Sequence, residues 1–139
     1  MLEPGSIGTA TLVVGGGDLA TVLNQTAEDG FPAVLATARM IGLKELAASR
    51  AMRAALGAGE LSVGVSIDVA HTAPTPIGAS VTAQARFCGR DGKLYVFELS
   101  ASDAGGEIGR GTHRRAIVSA ARLVQGAQRR QCDRPAASP

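Results

Sequence analysis

The strongest constraint on this chain is a change of hydrophobic period near residue 57. From Ala33 to Leu56 there is no proline and only one glycine, Gly42, and Ala, Leu, Met, Lys, Glu and Arg dominate. These are good helix formers, so the stretch predicts one long helix. Val34, Ala38, Ile41, Glu45 and Ala48 recur at the i, i+3, i+4 spacing of one face, with Arg39, Lys44, Arg50 and Arg53 largely elsewhere. Gly57 and Gly59 stop the helix. Gly42 inside it costs on the order of 1 kcal/mol relative to Ala, which predicts a close neighbour there.

Beyond the glycines the period becomes two. Leu61 to Val69 alternates, placing Leu61, Val63, Val65, Ile67 and Val69 on one side, and Val81 to Phe87 alternates again. Lys93 to Ala101 and Ile108 to Val118 read as further strands. Gly89-Arg90-Asp91-Gly92 and Asp103-Ala104-Gly105-Gly106 are turn signals between them. Upstream, Gly8 to Val14 is a Thr- and Val-rich strand broken by Gly15-Gly16-Gly17. No GKS or GKT follows those glycines, so they read as a turn and not as a phosphate loop. Residues 24 to 32 form a polar loop. The predicted order is a strand, a long helix and about four antiparallel strands, an α+β layout with the helix laid on one sheet. One helix cannot cover both faces of such a sheet, so a homodimer is expected to cover the rest.

The chain has 139 residues, the size of one domain. Its four aromatic residues are Phe31, Phe87, Tyr95 and Phe97, too few for a surface that stacks on nucleic-acid bases. The net charge of +2 is concentrated at the end, because four arginines and one acid follow from Arg122. The body is close to neutral and carries no basic face for nucleic acid. A domain over 1–122 and a basic, disordered tail over 123–139 are therefore expected. No apolar run reaches the roughly 18 residues of a membrane helix, and the first residues carry no basic or apolar leader, so a cytoplasmic protein without a membrane partner is expected. Cys88 and Cys132 form no Cys-x-x-Cys pair, which leaves zinc without ligands and predicts no metal.

Four residues stand out chemically. Glu45 shares a helix face that is otherwise apolar, where a carboxylate is costly unless it is paired, functional or at the edge of the stripe. His71 ends a strand and opens His-Thr-Ala-Pro-Thr-Pro, where a histidine can shuttle protons near neutral pH or sit there incidentally. His113, in Gly-Thr-His-Arg-Arg, has the same standing. Thr37, shortly after Pro32, is a candidate helix N-cap near N–H groups able to hold an oxyanion.

The segments Phe31-Pro-Ala-Val-Leu-Ala-Thr37, Met40-Ile-Gly-Leu-Lys-Glu45 and Arg50-Ala-Met52 resemble the central-helix region of the fluoroacetyl-CoA thioesterase family. Val69-Ala-His71-Thr-Ala-Pro-Thr-Pro-Ile-Gly78 resembles its following strand and loop, and Glu107-Ile-Gly-Arg-Gly-Thr-His-Arg-Arg115 its last strand. The resemblance implies a dimeric hotdog fold, with an antiparallel sheet wrapped around a long helix. It implies an acyl-CoA substrate, thioester hydrolysis without a cofactor, and a site formed by a Thr, a Glu and a His. By position these are Thr37, Glu45 and His71. Gly64 stands where the family has a glycine whose backbone faces the thioester, and Arg115 matches an arginine near the end of the last strand. Phe31 matches one of two lid phenylalanines. Glu28 occupies the position of the other, and a charged residue is unsuited to the same dry, fluorine-selective gate.

Thr37 and Glu45 are eight residues apart, about 80° and roughly 12 Å on an ideal helix, so they cannot touch. Three arrangements would reconcile them: the chain at Thr37 folds back before the helix, substrate and His71 bridge the gap, or two subunits exchange residues. A non-catalytic acyl-CoA or acyl-carrier binding module and a hotdog dehydratase are the other activities such a scaffold could carry.

Overall fold

The computed structural model describes residues 2–132. Strand β1 (Ile7–Val13) comes first, and helix α1 (Thr37–Met52) follows after two short 3-10 turns at Gly16–Asp18 and Ala20–Leu23. Then come β2 (Glu60–Val69), β3 (Ser80–Asp91), β4 (Leu94–Asp103) and β5 (Gly106–Ser119), and the helix α2 (Ala120–Cys132). The five strands form one antiparallel sheet in the order β1-β3-β4-β5-β2, so β1 and β2 are its edges. The expected α+β layout is present, with α1 packed against the sheet. No helix among the described residues is long and apolar enough to cross a membrane.

Alternation decides which side of the sheet faces the helix. On β3, Val81, Ala83, Ala85 and Phe87 are buried while Thr82, Gln84 and Arg86 are exposed. On β4, Phe97, Leu99 and Ala101 continue the same inner layer. The helix contributes Met40, Leu43, Ala47, Ala48, Ala51 and Met52 to this core. Contact is closest at β1. A Cβ at Gly8 would collide with the Ala47 carbonyl oxygen and stand 2.8 Å from the Ala51 amide nitrogen. Glycine there lets strand backbone touch helix backbone.

Several local expectations are corrected. Residues 33–36 are not helical, because Leu35 bridges Leu19 in antiparallel fashion and donates its N–H to the Thr75 carbonyl. The N-cap is Ala36, and Thr37 is the first helical residue. After Met52 the helix tightens into a 3-10 turn at Arg53–Ala55. The buried stripe is also rotated from the expected face. It includes Lys44, while Ala38 is exposed and Glu45 sits half-exposed at its edge. Alanines fall all round this helix, so periodicity alone leaves the phase of the stripe loose. Gly42 has no close neighbour, its virtual Cβ lying 3.5 Å from the Arg39 side chain. On β2 a bulge at Val65 breaks the register between Gly64 and Ser66 and interrupts the strict alternation. The stretch 123–132 continues as the exposed helix α2 and not as an irregular tail, and 133–139 lie outside the described residues.

Replacing Gly8 with Val forces strand and helix backbones apart. Urea unfolding is expected to show a loss of roughly 1–3 kcal/mol or more, against a change within about 0.5 kcal/mol for Gly16→Ala, where no atom lies within 4 Å.

Candidate active site

The first constellation forms where α1 begins. The entry segment is pinned by backbone bonds from Ala20 N–H to the Val34 carbonyl and from Ala36 N–H to the Asp18 carbonyl. Arg39 Nε donates to Asp18 Oδ1 at 2.9 Å and ties the same turn to the helix. His71 lies just past β2, where Ala70 and Thr72 still donate to the Arg110 and Ile108 carbonyls of β5, both at 2.8 Å. The ring is thereby held on a regular ladder, although its position looks like loop. Thr37 Oγ1 and His71 Nδ1 are 2.8 Å apart. Burial pushes the His71 pKa below its ordinary value, the Ala73 backbone opposes this, and the nearby Lys44 charge adds to it. Phe31, Val34, Leu35, Thr37, Ala38 and His71 are among the residues around a largely apolar cavity of about 360 Å³. Glu28 is exposed and does not line it.

The second constellation lies further along α1. Glu45 Oε2 is 3.4 Å from Arg115 Nη1, and the Arg115 side chain is only 5% exposed against 45% for Glu45. Arg115 also donates from Nε to Ser62 Oγ at 2.9 Å and from Nη2 to the Ser62 carbonyl at 2.8 Å. Burial lowers the Arg115 pKa, and the Glu45 charge and hydrogen bond oppose that. Arg115 Nη1 lies 3.0 Å from His113 Nε2. Gly64 faces this group, since a Cβ there would stand 2.7 Å from Glu45 Oε2. Glu45, Gly64, Ser66 and His113 border a small cavity of about 170 Å³.

The structure therefore joins Thr37 to His71 and Glu45 to Arg115 and Gly64. It does not bring Glu45 to the Thr37–His71 pair within one chain. Thr37 is already helical, so the fold-back arrangement does not occur. Among the described residues, no group of three or more His, Cys, Asp or Glu side chains is placed to hold a metal ion.

Lys44 was expected off the buried face. It is 0% exposed and its Nζ has no hydrogen-bond partner among the described residues. Burial lowers its pKa from the ordinary 10.5, with the Glu107 charge opposing. The buried His71 Nε2 likewise lacks a partner. Only the phase of the helix face could have exposed this lysine, and that phase was ambiguous.

Known proteins resemble this chain in sequence and in fold. The profile of the fluoroacetyl-CoA-specific thioesterase family matches residues 18–121. A fluoroacetyl-CoA thioesterase from Streptantibioticus cattleyicolor is 47% identical over 88 residues, and the match spans 63% of this chain and 63% of that protein's length. A solved structure of the fluoroacetyl-CoA thioesterase FlK superposes with a TM-score of 0.86 at 36% identity, covering 93% of this chain and 97% of that one. A hot-dog-like protein from Thermanaerovibrio acidaminovorans superposes at 0.79 with 25% identity, covering 93% of each chain.

The orphaned ammonium yields a direct test. Lys44→Met keeps the shape and removes the buried charge, and is expected to stabilise the chain by roughly 1–3 kcal/mol at pH 7. Because the folded pKa lies below 10.5, the unfolded chain holds the proton more readily, and wild-type stability rises as pH approaches 10.5. The advantage of the Met variant in chemical denaturation therefore shrinks over that approach.

Proposed function

The chain belongs to the fluoroacetyl-CoA-specific thioesterase family, and on that premise we propose that it hydrolyses a short acyl-CoA, of the acetyl or fluoroacetyl class, to the free acid and CoA. The observation that carries the reading is the 2.8 Å pairing of Thr37 and His71 on the wall of an apolar cavity. That cavity is a place for a small acyl group, with Phe31 on its outer side. The N–H groups of Thr37 and Ala38, at the start of α1, have no partner among the described residues. Unpaired donors at a helix N-terminus are suited to a carbonyl oxygen that becomes an oxyanion.

Hydrolysis needs a nucleophile at the carbonyl carbon and a proton for the departing CoA thiolate. Glu45 supplies the carboxylate, attacking directly or activating water, and Arg115 holds it in place. His71, kept neutral by burial, takes and returns the proton, and Thr37 orients its ring. The roughly 12 Å along the helix between Thr37 and Glu45 is closed by a second copy of the chain. Support comes from β2, an edge strand that exposes Val65 and Ile67. It runs from Gly64, beside Glu45, to the threshold of His71. Two β2 edges paired antiparallel about an axis near residues 67–68 would set Glu45 of one copy towards His71 of the other.

The test is thiol release from an acyl-CoA panel that includes acetyl-CoA and fluoroacetyl-CoA. Turnover of a short acyl-CoA is expected, with Glu45→Ala and His71→Ala each slower by about 100-fold or more. Binding without turnover, or unchanged rates in both variants, would rule out this reading. Mixing the two inactive variants under conditions of subunit exchange should restore up to about a quarter of wild-type activity, since half the dimers then carry one intact shared site. Recovery of nothing would place the site within one chain.

A further inference from the structure

Resting on the reading that Glu45 acts on the thioester, we propose that His113 is a positioning residue for the reaction, a neutral imidazole that aims Arg115 at Glu45. His113 is 1% exposed, on the helix-facing side of β5. Its Nδ1 lies 2.8 Å from the Ser66 carbonyl oxygen. A carbonyl only accepts, so Nδ1 carries the proton. Its Nε2 lies 3.0 Å from Arg115 Nη1. A guanidinium only donates, so Nε2 must be a bare lone pair. Both contacts demand the same tautomer, and each ring nitrogen is used once.

The consequence falls on Arg115. Two of its nitrogens are taken by Ser62, which secures one side of the guanidinium. Nη1 has two hydrogens, and the structure directs one to His113 and the other to Glu45. The Glu45 contact is the longer of the two, at 3.4 Å against 3.0 Å, and its carboxylate is half-exposed. The firmer bond to a buried acceptor therefore holds the weaker one in line. Gly64 permits the meeting, because a Cβ there would crowd both Glu45 Oε2 and His113 Cε1, at 2.7 and 3.1 Å. The bulge at Val65 lies between Gly64 and Ser66, the residue whose carbonyl anchors the ring.

Asn and Gln separate the two hydrogen bonds of His113. His113→Asn keeps a donor near the Nδ1 position for Ser66 but offers Arg115 no acceptor. His113→Gln places an acceptor near the Nε2 position. Steady-state hydrolysis by the full-length variants, normalised to folded protein by thermal unfolding, is expected to show kcat down roughly tenfold in His113→Asn, with KM within about twofold. His113→Gln is expected to recover most of that loss. In a Glu45→Gln background, His113→Asn should cost less than about twofold more, because the group it positions is already gone. Wild-type kcat in His113→Asn, equal defects in the Asn and Gln variants, or full multiplication of the two defects in the double variant would overturn the proposal. Wild-type activity in Glu45→Gln alone would instead remove the reading of Glu45 on which it rests.

Discussion

The close seating of α1 on the sheet is the constraint on which the rest of this structure depends. Gly8 on β1 and Ala47 and Ala51 on the helix bring backbone against backbone. Gly109 on β5 lies against the Ala70 carbonyl of the neighbouring ladder and leaves room for the end of the Met40 side chain. With so few aromatic side chains, the chain fills its interior by approach and not by bulk. The tight contact fixes the helix along its length. Its first residue meets His71, two residues past the end of β2, and its middle meets the far half of β5. The Thr37–His71 and Glu45–Arg115 pairs are consequences of that seating.

Three buried polar side chains near this helix show different energetic solutions. Arg115 is enclosed, yet all its nitrogens have partners in Ser62, His113 and Glu45. His113 is enclosed and uses both ring nitrogens. Such a network exchanges water for protein partners at small net cost and gains rigidity. Lys44 has no hydrogen-bond partner among the described residues, and burial weighs against its charge. That residue costs stability beside the His71 pair, and its positive charge favours a neutral imidazole there.

Much of the architecture was legible because hydrophobic period is a local property. A long helix within Ala33 to Leu56 and the alternating strands after Gly59 correspond to observed elements, and the signals Gly89–Gly92 and Asp103–Gly106 lie where β3 turns into β4 and β4 into β5. Edges were less legible. The chain before Thr37 is extended because Leu35 pairs with Leu19 and Thr75, partners remote in sequence. Residues 123–132 are helical although their charge pattern suggested a tail. The phase of the helix face was less legible because alanine marks no side, so Lys44 appeared exposed, whereas Glu45 lies at the edge of the stripe, one of the positions its spacing allowed.

The amino-acid sequence by itself determined the order of the strands and the long helix, the α+β class and the family, since these rest on residue spacing and on motifs in register. It also singled out Thr37, Glu45, His71, Gly64 and Arg115 as chemically unusual or matched positions. Only the tertiary structure decided how they group. Thr37 finds His71 because the β2–β5 ladder extends past Val69, and Glu45 finds Arg115 because the register of β5 against β2 sets Arg115 opposite Gly64. His113 became more than an isolated histidine only when Ser66 and Arg115 were brought to its two nitrogens. Hydrogen bonds act over about 3 Å, whereas Thr37 and His71, Glu45 and Arg115, and Ser66 and His113 lie tens of residues apart along the chain, so no local pattern could have paired them.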